Sequence, residues 1–408
     1  MATPSLAMIP SGYKASKVYS VLPESGVGDF DFTRATTATR VNNSGLIEEM
    51  AINVPRLEYP LIDGVVNGCP SLILEPQSTN LVPYSEDLNN FSTSNQNITI
   101  NPNQITSPSG NLADKVEENN VNGSHAMRRL TGISVTAAQD YTFSFFAKKD
   151  ERSIVGISNT IGGADKNAFI DIENGIILSS DFNDSSIDNY GNGWYKISLT
   201  DTATNTTDYD VRIYTSTQDG DFSHQGVVGY GFYIWGISVE QGSYATSYIP
   251  TQGSAVTRLS ELNPFEREDL VSKNLIGNTE MVWFLDAYIF NRSGTSVSPK
   301  IESTANGNIF IGLNVGSTTL NIRHKDGTSA SNTSSVPFTN GQRVKIAVKI
   351  IGTSATAFIN GTNVGSFTSA AISNFNEFSS TNGNPYNIND LRFYNTILTD
   401  AELIALTS

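Results

Sequence analysis

The sequence predicts an all-β protein built from antiparallel β-sandwich domains of the jelly-roll type, preceded by an irregular N-terminal segment. Three observations support this prediction. Apolar residues recur at every second position in many segments, Asx-Gly turns separate these segments, and helical periodicity is scarce. With 408 residues, of which 38% are hydrophobic and 16% charged, the chain is long enough for two or three domains that each bury a core.

Alternating segments mark the predicted strands. In residues 309–315 and 344–350, β-branched and Leu side chains fall on one face of an extended chain, which is typical of strands with one face in the core. Residues 281–290 are apolar on both faces, which predicts a central strand between two layers. Asp286 lies inside this segment and would need a buried partner.

Turn signals fall between these strands. An Asn or Asp followed by Gly supplies the positive φ angles that tight hairpins require. Such pairs occur at Asp63-Gly64, Asn67-Gly68, Asn174-Gly175, Asp219-Gly220, Asp326-Gly327 and Asn360-Gly361.

Helical signals are few. Asn263-Pro264 predicts a short helix toward Leu270, because Asn can cap a helix and Pro suits its first turn. Near the C-terminus, Thr399 precedes Glu402 by three residues, the pattern of a capping box. We therefore expect the last strand to run into one short terminal helix.

Charge and composition argue against several classes of function. The chain has 40 acidic and 25 basic residues, and its net charge of -15 repels nucleic acid and anionic lipid headgroups. A lone Cys69 allows neither an internal disulfide nor a cysteine-rich zinc site. We expect no membrane span and no signal peptide, since no run of about 18 apolar residues and no basic leader pattern occurs.

Two boundaries divide the chain: one near residues 83–91, where a possible helical turn precedes a polar stretch of Asn, Ser and Thr, and one at the Pro- and Gly-containing connector of residues 248–258. The predicted parts are an N-terminal anchoring or packing segment at 1–84, a middle sandwich at 85–258 and a C-terminal sandwich at 259–408. We expect the C-terminal sandwich to fold without the N-terminal segment.

Residues 17–88 carry the most distinctive motifs. They include Phe32-Thr33-Arg34-Ala35-Thr36-Thr37-Ala38-Thr39-Arg40, Asn53-Val54-Pro55-Arg56-Leu57-Glu58-Tyr59 and Leu72-Ile73-Leu74-Glu75-Pro76-Gln77-Ser78-Thr79-Asn80. This series resembles the N-terminal part of bacteriophage virion structural proteins of the tail-fibre and head-fibre type. The resemblance implies a virion protein that is assembled in the host cytoplasm, contacts other virion proteins through its N-terminal segment, and forms a homotrimer.

Two further resemblances concern the sandwiches. The segments Gly193-Trp194-Tyr195 and 232–242 are similar to carbohydrate-binding-module jelly rolls, and the hairpin, strand and helix that end the chain resemble a laminin-G-like, or concanavalin-A-like, jelly roll. They imply binding of a glycan or host surface, hence adhesion, by a fibre or tail-associated protein. Two alternatives stay open: a capsid decoration or head-fibre protein without a specific ligand, and a tailspike glycosidase.

Glycan binding requires aromatic faces for the apolar side of a sugar ring. Tyr230, Tyr233 and Trp235 are candidates for this role, and strand alternation places Tyr233 and Trp235 on one face. The alternative is that Trp235 belongs to the core together with Trp194 and Trp283.

Three arginines, Arg34, Arg40 and Arg56, are cations in a long neutral segment. They could dock on acidic groups of a neighbouring virion protein, or pair within the chain with Glu58 or Glu75. Both interpretations remain open.

A Thr-Arg pattern occurs twice, in residues 34–40 and 254–258. The two segments could share one surface, or the likeness could be a coincidence in a chain rich in Thr.

No catalytic residues are expected, and we predict that the chain is not an enzyme. Asp171 and Glu173 alternate as the carboxylates of concanavalin-A-like glycosidases do, but Phe169 occupies the place of a third carboxylate and an Asn-Gly turn follows. We expect a solvated hairpin instead.

No cofactor is expected. His125, His224 and His324 lack the spacing of a zinc motif. Oxygen ligands at residues 181–184 or 219–221 could hold a structural calcium ion, although each segment is also typical of a turn.

Overall fold

The computed structural model describes residues 1–129, 131–161, 165–261, 266–290, 296–316, 318–379 and 385–408, and the side chains of these residues except 266–268 and 296. Antiparallel strands dominate this part of the chain, which confirms the predicted all-β sandwich class. Within the same residues, no helix has the length and apolar character that crossing a bilayer requires.

Short strands and turns make up the N-terminal segment, in line with the irregular structure predicted there. The strands are β1 (Leu6–Met8), β2 (Tyr13–Lys14), β3 (Lys17–Val18), β4 (Phe30–Asp31), β5 (Ala38–Val41), β6 (Ile47–Met50), β7 (Leu57–Glu58), β8 (Leu61–Ile62), β9 (Val65–Val66), β10 (Ser71–Leu74) and β11 (Ser78–Asn80).

The middle part of the chain begins with one helical turn and continues in longer strands. Its elements are α1 (Leu88–Phe91), β12 (Ser94–Gln96), β13 (Ile98–Thr106), β14 (Leu112–Glu118), β15 (Asn122–Gly123), β16 (Ala126–Arg129), β17 (Ser134–Val135), β18 (Asp140–Lys149), β19 (Ile154–Thr160), β20 (Asp165–Asp171), β21 (Ile176–Ser180), β22 (Asp184–Gly191), β23 (Trp194–Thr202), β24 (Thr207–Asp208), β25 (Asp210–Ser216), β26 (His224–Gln225), β27 (Gly231–Gln241) and β28 (Val256–Arg258).

Two six-stranded sheets form the middle sandwich, with strand orders β12-β16-β25-β19-β20-β21 and β13-β14-β27-β18-β23-β22 among the described residues. Alternate side chains of both sheets, such as Val155, Ile157, Ile197 and Leu199, are fully buried between them. Burying each such side chain stabilises the folded state by about 1.5–3 kcal/mol. The apolar face of each strand, which the alternation in the sequence marks, therefore packs against the other sheet.

The C-terminal part completes the chain. Its elements are β29 (Glu266–Glu268), β30 (Glu280–Ile289), β31 (Ser296–Glu302), β32 (Ile309–Val315), β33 (Thr319–Asp326), β34 (Ala330–Asn332), β35 (Val336–Pro337), β36 (Gln342–Ile351), β37 (Ser354–Ile359), β38 (Thr362–Thr368), a 3-10 turn (Ile372–Asn374), β39 (Glu377–Ser379), β40 (Tyr386–Tyr394) and α2 (Asp400–Thr407).

The C-terminal sandwich includes strands from the N-terminal segment. One sheet has the order β38-β37-β36-β30-β40-β10-β7, with β1 also paired to β40, and the other includes β2, β3 and β4 beside β29. Leu6 lies opposite Phe393 and Leu72 opposite Ile388, and all four side chains are fully buried in one core. The division at residues 84 and 258 stays a prediction, but the expectation that the C-terminal sandwich folds without the N-terminal segment conflicts with this shared core.

Local signals predicted most turns and one of the helices. Asp63 and Gly64 have φ angles of 50° and 77° between β8 and β9, and Asn360 and Gly361 have 47° and 74° between β37 and β38. Thr399 Oγ1 accepts a hydrogen bond from the Glu402 backbone amide, and the Glu402 carboxylate accepts one from the Thr399 backbone amide, which confirms the capping box.

The predicted helix after Asn263-Pro264 is wrong where it can be tested. Residues 263–265 lie outside the described residues, and Glu266–Glu268 forms β29, which pairs with Glu377–Ser379. Sheet partners distant in sequence outweigh the local helix signal at this position.

The outer face of the eight-stranded sheet has an apolar half and a polar half. Helix α2 covers Val282 and Phe284 of β30, with Leu403 among the buried contacts. Further along β30, Asp286 and Tyr288 point to the same outer face, beyond the helix. Asp286 accepts two hydrogen bonds from Arg343, at 2.8 and 2.7 Å, so it is paired, with a guanidinium group whose side chain is 50% exposed.

Candidate functional site

A cleft of about 990 Å³ opens where the three parts of the chain meet. One wall is the polar half of the eight-stranded sheet, a second is the edge of the middle sandwich around β22, and the third is the N-terminal loop between β7 and β10. This volume is at the upper end of those typical for ligand sites. We call it the three-wall cleft.

Polar side chains of β30, β36 and β40 form the first wall. A β-bulge makes Asn389 an extra residue opposite β30, because Asp286 pairs with Asp390 while Ala287 pairs with Ile388. Asn389 donates from Nδ2 to Asp286 Oδ1 at 3.4 Å. The bulge therefore adds an amide beside the carboxylate that Arg343 already holds.

Tyrosines dominate the second wall. Tyr190 and Tyr195 are half-buried near the β22–β23 turn, and Tyr190 packs edge-on against Phe146 with ring centroids 4.9 Å apart. Burial raises the pKa of the Tyr190 hydroxyl, so this group stays protonated at neutral pH. The exposed Asp188 precedes Tyr190 on the same strand.

Glu58 is the principal ionisable group of the third wall. Its Oε2 atom is buried and has no hydrogen-bond partner among the described residues. Burial raises the pKa of Glu58 to about 7, although the neighbouring Arg56 opposes this change. Glu58 can therefore be protonated near neutral pH, where it would donate a hydrogen bond into the cleft.

Close backbone contact holds the second and third walls together. The hairpin turn at Gly64 meets the turn at Gly191, where an added Cβ would lie 2.3 Å from the Gly64 carbonyl oxygen. Both glycines have positive φ angles, 77° and 79°. This contact fixes the distance between the N-terminal loop and the middle sandwich.

The three-wall cleft combines aromatic faces with amides, carboxylates and a guanidinium group. Tyr195 and Tyr288 offer apolar ring surface, while Asn387 and Asn389 can both donate and accept hydrogen bonds. Such a set suits a neutral, polyhydroxylated ligand, which needs many hydrogen bonds and an apolar platform.

The three aromatic residues proposed from the sequence as glycan contacts differ in how far they are exposed. Trp235 is 1% exposed and packs against Phe146 and Tyr248, so it is a core residue, which was the alternative interpretation, and it cannot stack on a sugar from solvent. Tyr233 lies on the same face, half-buried. Tyr230 is 40% exposed over the Arg152 guanidinium, 5.1 Å from the ring centroid. Glycan contact by Tyr230 and Tyr233 stays a prediction.

The proposed docking arginines are paired within the chain. Arg34 and Arg56, 1% and 0% exposed, both bind Glu261, and Arg56 also binds Glu75 at 2.9 Å. Arg40 pairs with Glu48 at 2.6 Å. Arg34 and Arg56 are therefore inaccessible to another protein in this structure, and the intrachain alternative describes all three.

Two histidines that are isolated in sequence are neighbours in space. The rings of His125 and His224 lie 4.8 Å apart, and His224 Nε2 is 2.8 Å from Glu118 Oε1. Burial raises the pKa of Glu118, but hydrogen bonds from Arg152 and His224 outweigh it and lower this pKa to about 2. These contacts engage the Glu118 carboxylate and His224 Nε2, whereas the buried His224 Nδ1 has no hydrogen-bond partner among the described residues.

The other sequence candidates lie in turns. Asp171 ends β20 and accepts hydrogen bonds from the backbone amides of Glu173 and Asn174, as in the expected hairpin. Asp219 and Asp221 accept from Ser179 and Thr217. In the described part of the chain, no group of three or more His, Cys, Asp and Glu side chains is arranged for a metal ion.

The sequence analysis did not propose a ligand site at the three-wall cleft, although it noted Asp286 as a carboxylate in need of a partner and Glu58 as a possible partner of an arginine. Two signals were available: Asp286 inside an apolar strand, and Asn387 and Asn389 at alternate positions of the last strand. Neither signal could reveal Glu58 or Tyr190, which reach the cleft through the packing of separate parts of the chain.

Comparisons with known proteins give only remote likenesses. No family model matches the sequence, and no curated protein matches it. Among solved structures, the CBM40 of Ruminococcus gnavus IT-sialidase bound to α2,3 sialyllactose is 13% identical, with 32% of this chain and 84% of that chain covered and a TM-score of 0.28.

Two longer alignments are similarly remote. Trypanosoma rangeli sialidase in complex with the inhibitor DANA is 12% identical over 93% of this chain and 80% of its own, with a TM-score of 0.30. Domains LG4-5 of the mouse laminin α1 chain are 9% identical over 76% and 80%, with a TM-score of 0.18. At these values the likeness transfers neither a ligand nor an activity to this chain.

Proposed function

We propose that this chain is a structural protein of a bacteriophage particle, fibre-like or tail-associated, which binds a host-surface glycan in the three-wall cleft. The resemblance of residues 17–88 to virion proteins supports the first part of the proposal. The observation that carries the second part is the cleft itself, with Tyr195 and Tyr288 beside Asn387 and Asn389.

The pairing of two cleft carboxylates supports binding without bond cleavage. Asp286 is held by Arg343, and Asp390 is paired with Arg392. A paired carboxylate is a poor nucleophile or base, because its charge is already neutralised. Glu58 and Asp188 also line the cleft, and neither forms an ion pair among the described residues. The raised pKa of Glu58 suits a general acid, so the tailspike glycosidase remains the second candidate function.

A glycan array with the full chain tests the binding site. We expect Tyr288→Ala to weaken binding at least about tenfold, because truncation removes ring contact in the cleft. Tyr19→Ala is the matched control, since Tyr19 is exposed and outside the cleft, and Tyr230→Ala tests the site predicted from the sequence. Loss of binding in Tyr230→Ala, with Tyr288→Ala unchanged, would move the site to the loops of the middle sandwich.

Two measurements separate the remaining alternatives. Release of reducing ends from a bound polysaccharide, abolished in Glu58→Gln, would establish the glycosidase. Immunogold labelling of intact particles would locate the chain on the virion, and its absence from purified particles would refute the structural role. Mass measurement of the purified chain tests the proposed trimer.

A further inference from the structure

Arg258 is a buried cation with unused hydrogen-bonding capacity. Its side chain is 1% exposed, and Nε, Nη1 and Nη2 have no hydrogen-bond acceptor among the described residues. Its ion pair is with Glu75 Oε2, at 3.4 Å from Nη2. A guanidinium group has five N–H donors in a planar fork, so most of its capacity is unmet.

The two neighbouring arginines, Arg34 and Arg56, have acceptors for their guanidinium N–H groups. Arg34 donates to Glu261 and to the carbonyl oxygens of Thr36 and Ala51, at 2.6, 2.8 and 2.7 Å. Arg56 donates from all three of its nitrogens, to Glu261, Glu75 and the Thr39 carbonyl among others. Buried donors without acceptors are rare in native proteins, so Arg258 requires an acceptor from elsewhere.

The pairing of these arginines leaves Arg258 without a well-placed acceptor. Three arginines, Arg34, Arg56 and Arg258, share two carboxylates, those of Glu75 and Glu261. Both carboxylates are already occupied by better placed donors. Burial raises the pKa of Glu75, but Arg258 and Arg56 outweigh it and lower this pKa to about 2, so Glu75 is ionised.

One more carboxylate is buried in this region. Glu240 accepts hydrogen bonds from Ser78 at 2.6 Å and from the backbone amide of Thr246 at 3.2 Å. It forms no ion pair with an arginine in the described ranges, so it does not supply the missing acceptor for Arg258.

Arg258 also lines a pocket of about 260 Å³. The pocket brings together the two Thr-Arg segments of the sequence, which therefore share one surface. Its lining consists of Thr36, Thr37, Ala38, Glu49, Tyr248, Ile249, Pro250, Val256, Thr257 and Arg258. Among these lining residues, Arg258 alone has buried side-chain nitrogen or oxygen atoms that lack a hydrogen-bond partner within the described part of the chain.

We propose that this pocket binds a small monoanionic carboxylate, held by the guanidinium fork of Arg258. Carboxylates match the fork with two parallel hydrogen bonds. Thr36 Oγ1 accepts from the Leu259 amide at 3.0 Å, which leaves its O–H to donate to the anion. Exposed Glu49 at the pocket repels a second negative charge, so a dianion binds less well.

Acetate titrated into the full chain at neutral pH tests this proposal by calorimetry and by thermal unfolding. We expect saturable one-to-one binding and a rise in melting temperature that follows the binding curve. Sulfate, which is dianionic at this pH, should bind at least about tenfold more weakly. Comparing glucuronate with acetate shows whether an acidic sugar or a simple carboxylate is the better ligand. Saturable binding of either compound supports the site.

Two variants localise the effect. Thr37→Phe fills the exposed mouth of the pocket without touching the buried ion pairs, and Arg258→Met removes the fork. Both should lose the saturable response, whereas Arg212→Met, a surface control paired with Asp210, should retain it. Thr37→Phe decides the question if Arg258→Met does not fold. No saturable response in the wild type, or an equal response in Thr37→Phe, would overturn the proposal.

Discussion

Replacing Glu58 by Gln should remove a pH dependence from the stability of the folded chain. The pKa of Glu58 is raised by burial from its ordinary value of 4.5 to about 7. Between these two pH values the folded state binds a proton that the unfolded state has released. The contribution of Glu58 to the free energy of unfolding therefore falls as pH rises from 4.5 to 7, and is constant on either side.

The magnitude follows from the two pKa values. A change of one in pKa corresponds to about 1.36 kcal/mol, so the difference between 4.5 and about 7 corresponds to at most about 3.4 kcal/mol. Glu58 is only half-buried, and solvent screening reduces the expected loss to about 2 kcal/mol. Glu58→Gln cannot ionise and should be more stable than the wild type above pH 7 by this amount.

Urea unfolding at pH 5, 6, 7 and 8, followed by tryptophan fluorescence, measures this effect. Glu24→Gln is the control, because Glu24 is exposed in a turn away from the cleft. We expect the wild type and Glu24→Gln to lose about 2 kcal/mol relative to Glu58→Gln between pH 5 and 8. Equal pH profiles for all three proteins would show that Glu58 is not protonated in the folded state.

Three further predictions concern stability and use the same urea assay. Leu72→Ala should cost about 2–5 kcal/mol, because Leu72 is 0% exposed in the C-terminal core; an unchanged midpoint would mean that the N-terminal strands are dispensable. Glu261→Gln should cost about 3–5 kcal/mol by leaving two buried arginines underpaired, whereas Glu48→Gln at the surface should cost about 0–1 kcal/mol. Gly191→Ala should cost more than Gly352→Ala, because both glycines have positive φ angles but only the first meets backbone within 4 Å; equal costs would contradict the contact between the walls.

Local chemistry in the sequence determined the strands, the turns and the terminal helix. Side chains alternate across a strand with a period of two, so apolar alternation predicted both β36 and its buried face. Asn360-Gly361 predicted a hairpin because the turn needs two positive φ angles, and Thr399 with Glu402 predicted the helix start. Each of these signals depends on residues that lie close together in the chain. The sequence alone is therefore enough to recognise it.

Only the tertiary structure decided which distant segments meet. The pairing of β1 and β10 with β40, the choice of Glu261 as the partner of Arg34 and Arg56, and the burial of Trp235 join residues far apart in the chain. No local pattern specifies such pairs, because a buried charge or ring accepts any partner with suitable geometry. The three-wall cleft and the Arg258 pocket both lie at these long-range junctions, so neither could be derived from the sequence alone.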